Sequence, residues 1–325
     1  MQDNRRVRGV NAVVASARKE ASQIGIDVLK KGGNAVDAAV ATGFALGVCE
    51  PSASGIGGGG FMMINNCSLP EPVLIDFREI APRAASADMY KVNADGSVVN
   101  EENSIGGKSV AVPGEIAGLI YALENYGTMP LMEVIEPSVR LAEEGFTVTE
   151  MMCNHFFDKP VKTDKYYKNL QKGQLYRNPD LAKTLSLISR EGMKAFYEGE
   201  IADKIIAAVH KYNGIITKED LADFKVFIKK PVVGEYRGYK IYSSPLPSLG
   251  GTHIIQLLNI LEGFDISRIE VNSAEYIHLF SEAMKITYAD RTKYMADDRF
   301  YNVPAAGLTS KKYAKEIANK IDMNN

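Results

Sequence analysis

The sequence predicts a mixed α/β fold, and three observations support this prediction. Apolar residues recur at helical spacing in many parts of the chain. Short apolar runs bounded by glycine, proline or asparagine indicate strands and turns between those helices. The 325 residues are 46% hydrophobic and 24% charged, so the chain can bury a large core. Because no internal repeat, low-complexity tract or linker divides it, we expect a single domain over residues 1–325.

The N-terminal part of the chain is predicted to form one strand and then two helices. An apolar run at residues 11–16 indicates a short buried strand, and residues 17–31 repeat apolar side chains at helical spacing before a glycine pair. Asn34 is a good N-cap for the next helix, residues 35–48, and Asp37 suits its first turn. Because this second helix is apolar all round, we expect it to be buried between layers.

A glycine-rich turn and a hairpin follow. The turn spans residues 54–60, and two apolar runs, residues 61–64 and 73–77, indicate the strands. The turn contains the string Gly-x-Gly-x-x-Gly, with Asp76 further on, which matches a dinucleotide fingerprint. However, a helix precedes these glycines and a strand follows them, whereas a phosphate site requires the turn to open a helix. We therefore interpret the glycines as positions of close backbone approach beside a pocket wall.

The rest of the chain is predicted to be mostly helical. Spacing and turn signals place helices at residues 114–126, 131–144, 181–191, 201–212, 253–262, 274–294 and 310–325. A strand pair at residues 232–242 turns at Arg237-Gly238, and a proline-containing loop follows it. The last helix is predicted to be charged along its length.

Composition and residue spacing exclude several classes of function. The net charge of −2 gives no reason to expect nucleic acid as a partner. Three widely spaced cysteines indicate no disulfide framework, and four histidines show no metal-ligand spacing, so we expect neither a metal nor a cofactor. No apolar segment of signal-peptide type follows the N-terminal arginines, and the longest apolar stretch is too short to cross a bilayer. We expect a small molecule or another protein chain as the partner.

The clearest candidate ligand site is at the end of the predicted hairpin, where the charged residues Asp76, Arg78 and Glu79 stand. Arg78 follows Phe77 and lies on the opposite face of the strand, beside the glycine-rich turn. A guanidinium group there can bind a carboxylate through two hydrogen bonds. The alternatives are an internal ion pair with Asp76 or Glu79, or a position on a solvated rim. From spacing alone these interpretations stay open.

Two further motifs favour structural roles. Thr252 and His253 are adjacent inside the chain, whereas a threonine activated by its own amine must be a chain terminus. We therefore interpret Thr252 as a helix cap. Tyr288, Asp290 and Arg291 share the longest predicted helix, where we expect an ion-paired anchor.

Several blocks of the sequence occur in the order typical of one protein family. They are VASARKEASQIGIDVLKKGGNAVDAAVA, SGIGGGGFMMI, IDFREIAPRAA, VAVPGEIAGL, YGTMPLMEVIEPSVRLAEEGF, ITKEDLADF, YRGYKIYSSPLPSLGGTHIIQLLNILE and YADRTKYMAD. Together they resemble the γ-glutamyltransferase (γ-glutamyl transpeptidase) family. The resemblance runs from about Val13 to Asp322, and the combination of GGNAVDAAVA, GGGGF and DFRE makes it specific.

The resemblance implies the fold of an N-terminal nucleophile hydrolase, a four-layer αββα sandwich of which this chain is the large-subunit portion. In that family a precursor cuts itself, and the threonine at the new N-terminus of the small subunit is the nucleophile. No Thr-Thr-His motif occurs in this sequence. We therefore expect no catalytic residue in this chain, which is a large subunit or a truncated form of one. Its expected partner is the small subunit from the same precursor.

The resemblance also implies a substrate site. The counterpart of Arg78 binds the α-carboxylate of a γ-glutamyl donor, and Glu79 supports the site by orienting the arginine or by meeting the donor's amino group. Asp76 is a further candidate. The expected donors are glutathione or other γ-glutamyl compounds, the acceptors are water, an amino acid or a peptide, and the compartment is periplasmic or extracellular. The alternatives are a relative that processes poly-γ-glutamate, acylates cell wall or deacylates cephalosporins, and a non-catalytic ligand-binding module.

Overall fold

A computed structural model describes residues 7–157 and 170–323, with the backbone only at residues 154–157. The chain forms two compact units. The first comprises the described residues of Met1–Met62 and Asp76–Phe227, and the second comprises those of Met63–Ile75 and Ile228–Asn325. The expectation of a single domain over residues 1–325 stays a prediction.

Helices predominate over strands in the described residues. The helices are α1 (Lys19–Lys30), α2 (Ala35–Cys49), α3 (Pro51–Ser54), α4 (Glu115–Tyr126), α5 (Leu131–Glu144), α6 (Glu150–Phe157), α7 (Pro179–Glu191), α8 (Met193–Tyr197), α9 (Glu200–Lys211), α10 (Lys218–Ala222), α11 (Gly250–Leu261), α12 (Ala274–Tyr294), α13 (Ala305–Leu308) and α14 (Lys311–Ala318). The strands are β1 (Phe61–Ile64), β2 (Val73–Asp76), β3 (Phe146–Thr147), β4 (Leu175–Tyr176), β5 (Phe227–Lys229), β6 (Val232–Tyr236) and β7 (Tyr239–Ser243). They form a three-stranded sheet of order β1-β2-β5 and two separate pairs, β3-β4 and β6-β7. None of the described helices is long and apolar enough to cross a membrane.

The first two helices form where the sequence predicts them, and they pack against each other. The buried residues of α1 are Ala21, Gly25 and Val28. A Cβ placed on Gly25 would lie 2.4 Å from Oγ1 of Thr42 in α2, so this glycine permits the close approach of the two helices. Most residues of α2 are buried, which confirms that it is an interior helix.

The side chain of Asp37 joins the start of α2 to the turn that precedes α5. Asn34 caps α2, since its side chain accepts the backbone N–H groups of Val36 and Asp37. The buried carboxylate of Asp37 accepts hydrogen bonds from the backbone N–H groups of Asn34 (2.7 Å), Thr128 (2.8 Å) and Met129 (3.1 Å), and from the Thr128 hydroxyl (2.6 Å). Burial raises the pKa of Asp37, but these hydrogen bonds outweigh it and hold the pKa below its ordinary value.

The predicted hairpin forms as β1 and β2, whereas the strand predicted at residues 11–16 does not form. β1 and β2 are neighbours in one sheet. Residues 11–16 adopt no strand, and Val13 is 58% exposed. A strand needs a hydrogen-bonded neighbour, and none of residues 7–157 and 170–323 pairs with this segment. The prediction of a buried strand here was wrong for this reason.

The second unit combines the hairpin of β6 and β7 with helices α11 to α14. Arg237 and Gly238 have left-handed φ angles of 51° and 83°, as a two-residue hairpin turn requires, so the predicted turn is confirmed. A Cβ on Gly234 would lie 2.6 Å from the side chain of Ile255, so this glycine lets α11 lie close to the hairpin. Helices α11, α12 and α14 share a buried core of Ile260, Leu261, Leu279, Ala283, Ala314 and Ile317.

Three details of the second unit differ from the predictions. Thr252 is a buried residue inside α11, whose N-cap is Leu249, so it is not a helix cap. The helix predicted at residues 310–325 is α14, which ends at Ala318; residues 324–325 lie outside the described residues. Asp290 has the predicted structural role, but it acts through hydrogen bonds, since it accepts from Gln256 Nε2 (2.6 Å) and the Tyr313 hydroxyl (2.8 Å).

Candidate functional site

In the first unit, two pairs of residues joined by reciprocal backbone hydrogen bonds flank the predicted ligand residues in the sequence. Reciprocal hydrogen bonds join Gly60 and Phe77, at 3.4 and 3.0 Å. A second reciprocal pair joins Ile80 and Val112, at 3.3 and 2.9 Å. The Arg78–Glu79 dipeptide lies between these two pairs, so its main chain is fixed from both sides.

The glycine-rich turn also binds the start of α4. The carbonyl oxygen of Gly58 accepts the N–H groups of Gly114 (2.8 Å) and Glu115 (2.9 Å). A Cβ on Gly114 would lie 2.0 Å from the carbonyl oxygen of Phe77, and a Cβ on Gly59 would lie 2.5 Å from the same oxygen. Because this oxygen belongs to the backbone, neither position accepts a side chain. The interpretation of the glycines as points of close backbone approach is confirmed at Gly59.

Tyr197 of α8 fixes the same end of α4. Its buried hydroxyl donates to the carbonyl oxygen of Pro113 (3.0 Å) and accepts the N–H of Ala117 (3.2 Å). The ring stacks on Phe224 with 5.7 Å between the ring centroids. Burial raises the pKa of Tyr197 well above its ordinary value, so the hydroxyl stays protonated and continues to donate.

Arg78 has an exposed side chain that forms no salt bridge with any residue that the structure describes. Its backbone N–H donates to Oδ1 of Asp76 (3.0 Å), and Asp76 is itself buried. Of the interpretations that the sequence left open, the internal ion pair is therefore wrong. The buried carboxylate of Asp76 supports the backbone turn that presents Arg78 to solvent.

Glu79 has a second carboxyl group in its vicinity, that of Glu115 in the first turn of α4. A Cβ on Gly59 would lie 3.2 Å from the carboxyl carbon of Glu79, and a Cβ on Gly60 would lie 3.9 Å from Oε2 of Glu115. Burial and, second, the charge of Glu79 raise the pKa of Glu115 to about 7. The sequence did not reveal this residue, because an acidic residue at a helix start usually serves the helix dipole in solvent.

Glu115 also lines an open cavity of about 680 Å³ in the first unit. In the described lining it is the only charged residue, and the apolar residues include Leu29, Ala38, Leu46, Phe61, Phe77 and Leu119. Residues 12–16, which pair with no strand of the described residues, form one wall. The cavity is therefore lined mainly by apolar side chains, with an acidic group and this backbone segment at its border.

The site presents one cation and one partly exposed carboxyl group on a fixed main chain. The guanidinium of Arg78 can bind a carboxylate through two hydrogen bonds, and Glu79 can accept hydrogen bonds from an ammonium group. Across residues 7–157 and 170–323, no group of three or more His, Cys, Asp or Glu side chains could hold a metal ion. The charges therefore match the α-carbon substituents of an amino acid, which carries one carboxylate and one ammonium group.

Solved structures with the same fold define the class of the protein. The gamma-glutamyltranspeptidase of Helicobacter pylori aligns with a TM-score of 0.92 and 42% sequence identity, covering 98% of this chain and 95% of that chain. The fold is therefore that of the N-terminal nucleophile hydrolases, as the sequence resemblance implied. The sequence model of the gamma-glutamyltranspeptidase family matches residues 21–325, and the chain belongs to this family.

Curated relatives are longer than this chain. The glutathione hydrolase proenzyme of Escherichia coli (strain K12) is 43% identical over 330 residues, which cover 98% of this chain and 56% of that protein. The Acylase ACY 1 proenzyme of Pseudomonas sp. (strain V22) is 39% identical over 323 residues, which cover 95% of this chain and 58% of that protein. The chain therefore spans little more than half the length of these relatives.

Proposed function

We propose that this chain is the large subunit of a γ-glutamyltransferase or glutathione hydrolase, which cleaves γ-glutamyl amides through a γ-glutamyl-enzyme intermediate. The observation that carries the proposal is the exposed Arg78 side chain, without a salt bridge to any described residue, on a main chain fixed by two backbone pairs. Membership of the gamma-glutamyltranspeptidase family supports it. The threonine nucleophile belongs to the small subunit, so this chain alone is expected to be inactive.

In this proposal Arg78 and Glu79 position the donor. Two N–H groups of the Arg78 guanidinium bind the two oxygens of the donor's α-carboxylate, and Glu79 accepts hydrogen bonds from its α-ammonium group. The α-carboxylate lies at a fixed distance from the γ-carbonyl carbon. Holding the carboxylate therefore places the reacting carbon at the nucleophile, which contributes to the rate through orientation.

The chemical steps follow from an N-terminal threonine in the small subunit. Its hydroxyl attacks the γ-carbonyl carbon, its own α-amine takes the proton, and the amine part of the donor leaves with a proton. The resulting γ-glutamyl ester then reacts with water, giving glutamate, or with an amino acid or peptide, giving a new γ-glutamyl amide. Donors include glutathione and other γ-glutamyl compounds, and the proposal requires no cofactor.

The proposed partner is the small subunit cut from the same precursor. The relatives named proenzymes are nearly twice as long as the part that matches this chain. Residues 12–16 form one wall of the apolar cavity and have no paired strand among the described residues. A strand of the small subunit beside this segment would satisfy its backbone groups and cover the cavity.

Substitution of Arg78 tests the donor site in the assembled enzyme. Arg78→Lys keeps the charge but loses the bidentate hydrogen bonding to the carboxylate. The expected loss of binding free energy is ~1–3 kcal/mol, which corresponds to a roughly 5- to 150-fold loss of affinity. We expect KM for a γ-glutamyl anilide to rise within this range, with a smaller change in kcat. Arg78→Gln, which removes the charge, is expected to raise KM further.

Arg83 provides the matched control, because it is an exposed arginine of the same unit that pairs with Asp223. Arg83→Lys is expected to leave KM unchanged. If Arg78→Lys and Arg83→Lys have the same KM as the wild type, Arg78 does not bind the donor. If the assembled enzyme cleaves a glutaryl anilide but no γ-glutamyl anilide, the acylase alternative replaces the proposal.

A further inference from the structure

The carboxyl group of Glu115 has no cation beside it among the described residues. It lies against Gly60 and lines the apolar cavity. Among the residues that the structure describes, none forms a salt bridge or hydrogen bond with it. A half-buried carboxyl group without such partners is costly to ionise, so its charge depends on its surroundings.

Within the part of the chain that the structure describes, the groups that face Glu115 are acidic or neutral. The charged neighbour that raises its pKa is Glu79, in the segment after β2. Tyr197, from α8, stays protonated, and α2 and residues 12–16 present only apolar, serine and threonine side chains or glycine to the cavity. The amino end of α4 favours the ionised form of Glu115, but burial and Glu79 outweigh it.

We propose that Glu115 determines donor specificity, because its carboxylate strengthens the attraction of the Glu79 region for the α-ammonium group of the donor. This inference rests on the proposed function, in which Arg78 and Glu79 hold the donor. Two neighbouring carboxylates repel each other, and a bound ammonium group relieves this repulsion. An ionised Glu115 therefore favours γ-glutamyl groups over glutaryl groups, which carry the carboxylate but lack the ammonium group.

The preference for γ-glutamyl over glutaryl groups is expected to increase with pH. Glu115 is neutral below its pKa of about 7 and ionised above it. The preference for a ligand with an α-ammonium group is therefore expected to grow as the pH rises through this value. Coulomb's law for charges several ångströms apart, screened about as strongly as in water, predicts a change of roughly three- to tenfold in relative affinity.

The test compares the binding of L-glutamate and glutarate to the assembled enzyme by calorimetry. The two ligands differ only in the α-ammonium group, so the ratio of their Kd values cancels contributions that they share, including the carboxylate contact with Arg78. In the wild type, the ratio of the glutarate Kd to the glutamate Kd is expected to rise roughly three- to tenfold between about pH 6 and about pH 8. Glu115→Gln is expected to abolish this rise, and Glu115→Asp, which retains the charge, to preserve much of it.

Glu200→Gln is the matched control, since Glu200 is also the first residue of a 12-residue helix but is exposed. It is expected to keep the wild-type rise. A ratio that does not change with pH in the wild type, or that rises equally in Glu115→Gln, overturns the inference. If Glu115→Gln does not assemble, Glu115→Asp decides the question. Loss of the pH-dependent rise in the Kd ratio in Glu115→Asp overturns the inference, and retention of that rise supports it. If Arg78→Gln binds L-glutamate as the wild type does, the proposed donor site fails, and the specificity inference fails with it.

Discussion

Replacement of Asp37 by asparagine tests how the first unit is held together. The buried carboxylate accepts four hydrogen bonds of 2.6 to 3.1 Å, three of them from backbone N–H groups. Asparagine has nearly the same shape, but it puts an NH₂ donor where one carboxylate oxygen stands. At least one of the facing donors then loses its acceptor. A hydrogen bond to a charged group contributes about 1.5–3 kcal/mol, so we expect D37N to lower the free energy of unfolding by about 2–4 kcal/mol.

Denaturant unfolding followed by circular dichroism measures this difference. Asp27→Asn is the matched control, because the Asp27 carboxylate is exposed on α1 and contacts only the side chains of Gln23 and Lys30 among the described residues. Asp27→Asn is expected to change the free energy of unfolding by less than about 0.5 kcal/mol. If D37N is no less stable than D27N, the hydrogen bonds of Asp37 do not stabilise the fold as argued.

The contribution of Asp37 to stability is expected to depend on pH. Because the folded-state pKa lies below the ordinary value of 3.8, the folded protein binds this proton less tightly than the unfolded chain does. The contribution is therefore complete above the unfolded-state pKa and is lost as the pH falls through the folded-state pKa. The stability difference between wild type and D37N is expected to be constant from about pH 8 to pH 5 and to narrow below about pH 4. A difference that persists unchanged in stronger acid would contradict this account.

Two further predictions concern the packing that holds the donor site. In Gly118→Ala the new Cβ would lie 2.0 Å from Cγ of Phe77, so the ring must move; we expect a loss of about 1–3 kcal/mol in unfolding free energy and a higher donor KM. Unchanged values of both would show that the ring next to Arg78 is not tightly held. In Tyr197→Phe the carbonyl of Pro113 and the N–H of Ala117 lose their partner, and a loss of about 1–2 kcal/mol in a denaturant titration is expected. Stability equal to that of the wild type would exclude this role of the hydroxyl.

Elements with local signals could be predicted from the sequence. The helix α2 has an N-cap at Asn34, a largely apolar sequence and a proline after its end, and each signal acts within a few residues. The turn at Arg237-Gly238 is equally local, because glycine adopts its left-handed φ without strain. The conformation of residues 11–16 could not be predicted correctly, because an apolar run becomes a strand only beside a hydrogen-bonded neighbour.

The candidate site could be predicted in part for a related reason. Arg78 was found from its place after a strand and from a family motif, and both signals are local in the sequence. Its fixed main chain also depends on the distant residue Val112, whose pairing with Ile80 no spacing rule indicates. Glu115 was missed because its raised pKa results from burial against the turn and from Glu79, both long-range consequences of folding.

The enclosed dipeptide explains why the arginine can be exposed and still positioned. Ordering a long side chain on binding costs up to ~2 kcal/mol, whereas a main chain already held by two backbone pairs has little further freedom to lose. The entropy lost on binding is thus confined to the side chain of Arg78. The free energy gained from two hydrogen bonds to a carboxylate can exceed this loss. Lysine at this position would lose similar rotamer freedom but supply a single point charge. Lysine is therefore expected to bind the donor's carboxylate more weakly than arginine does. For this reason the Arg78→Lys experiment compares the change in KM with the change in kcat.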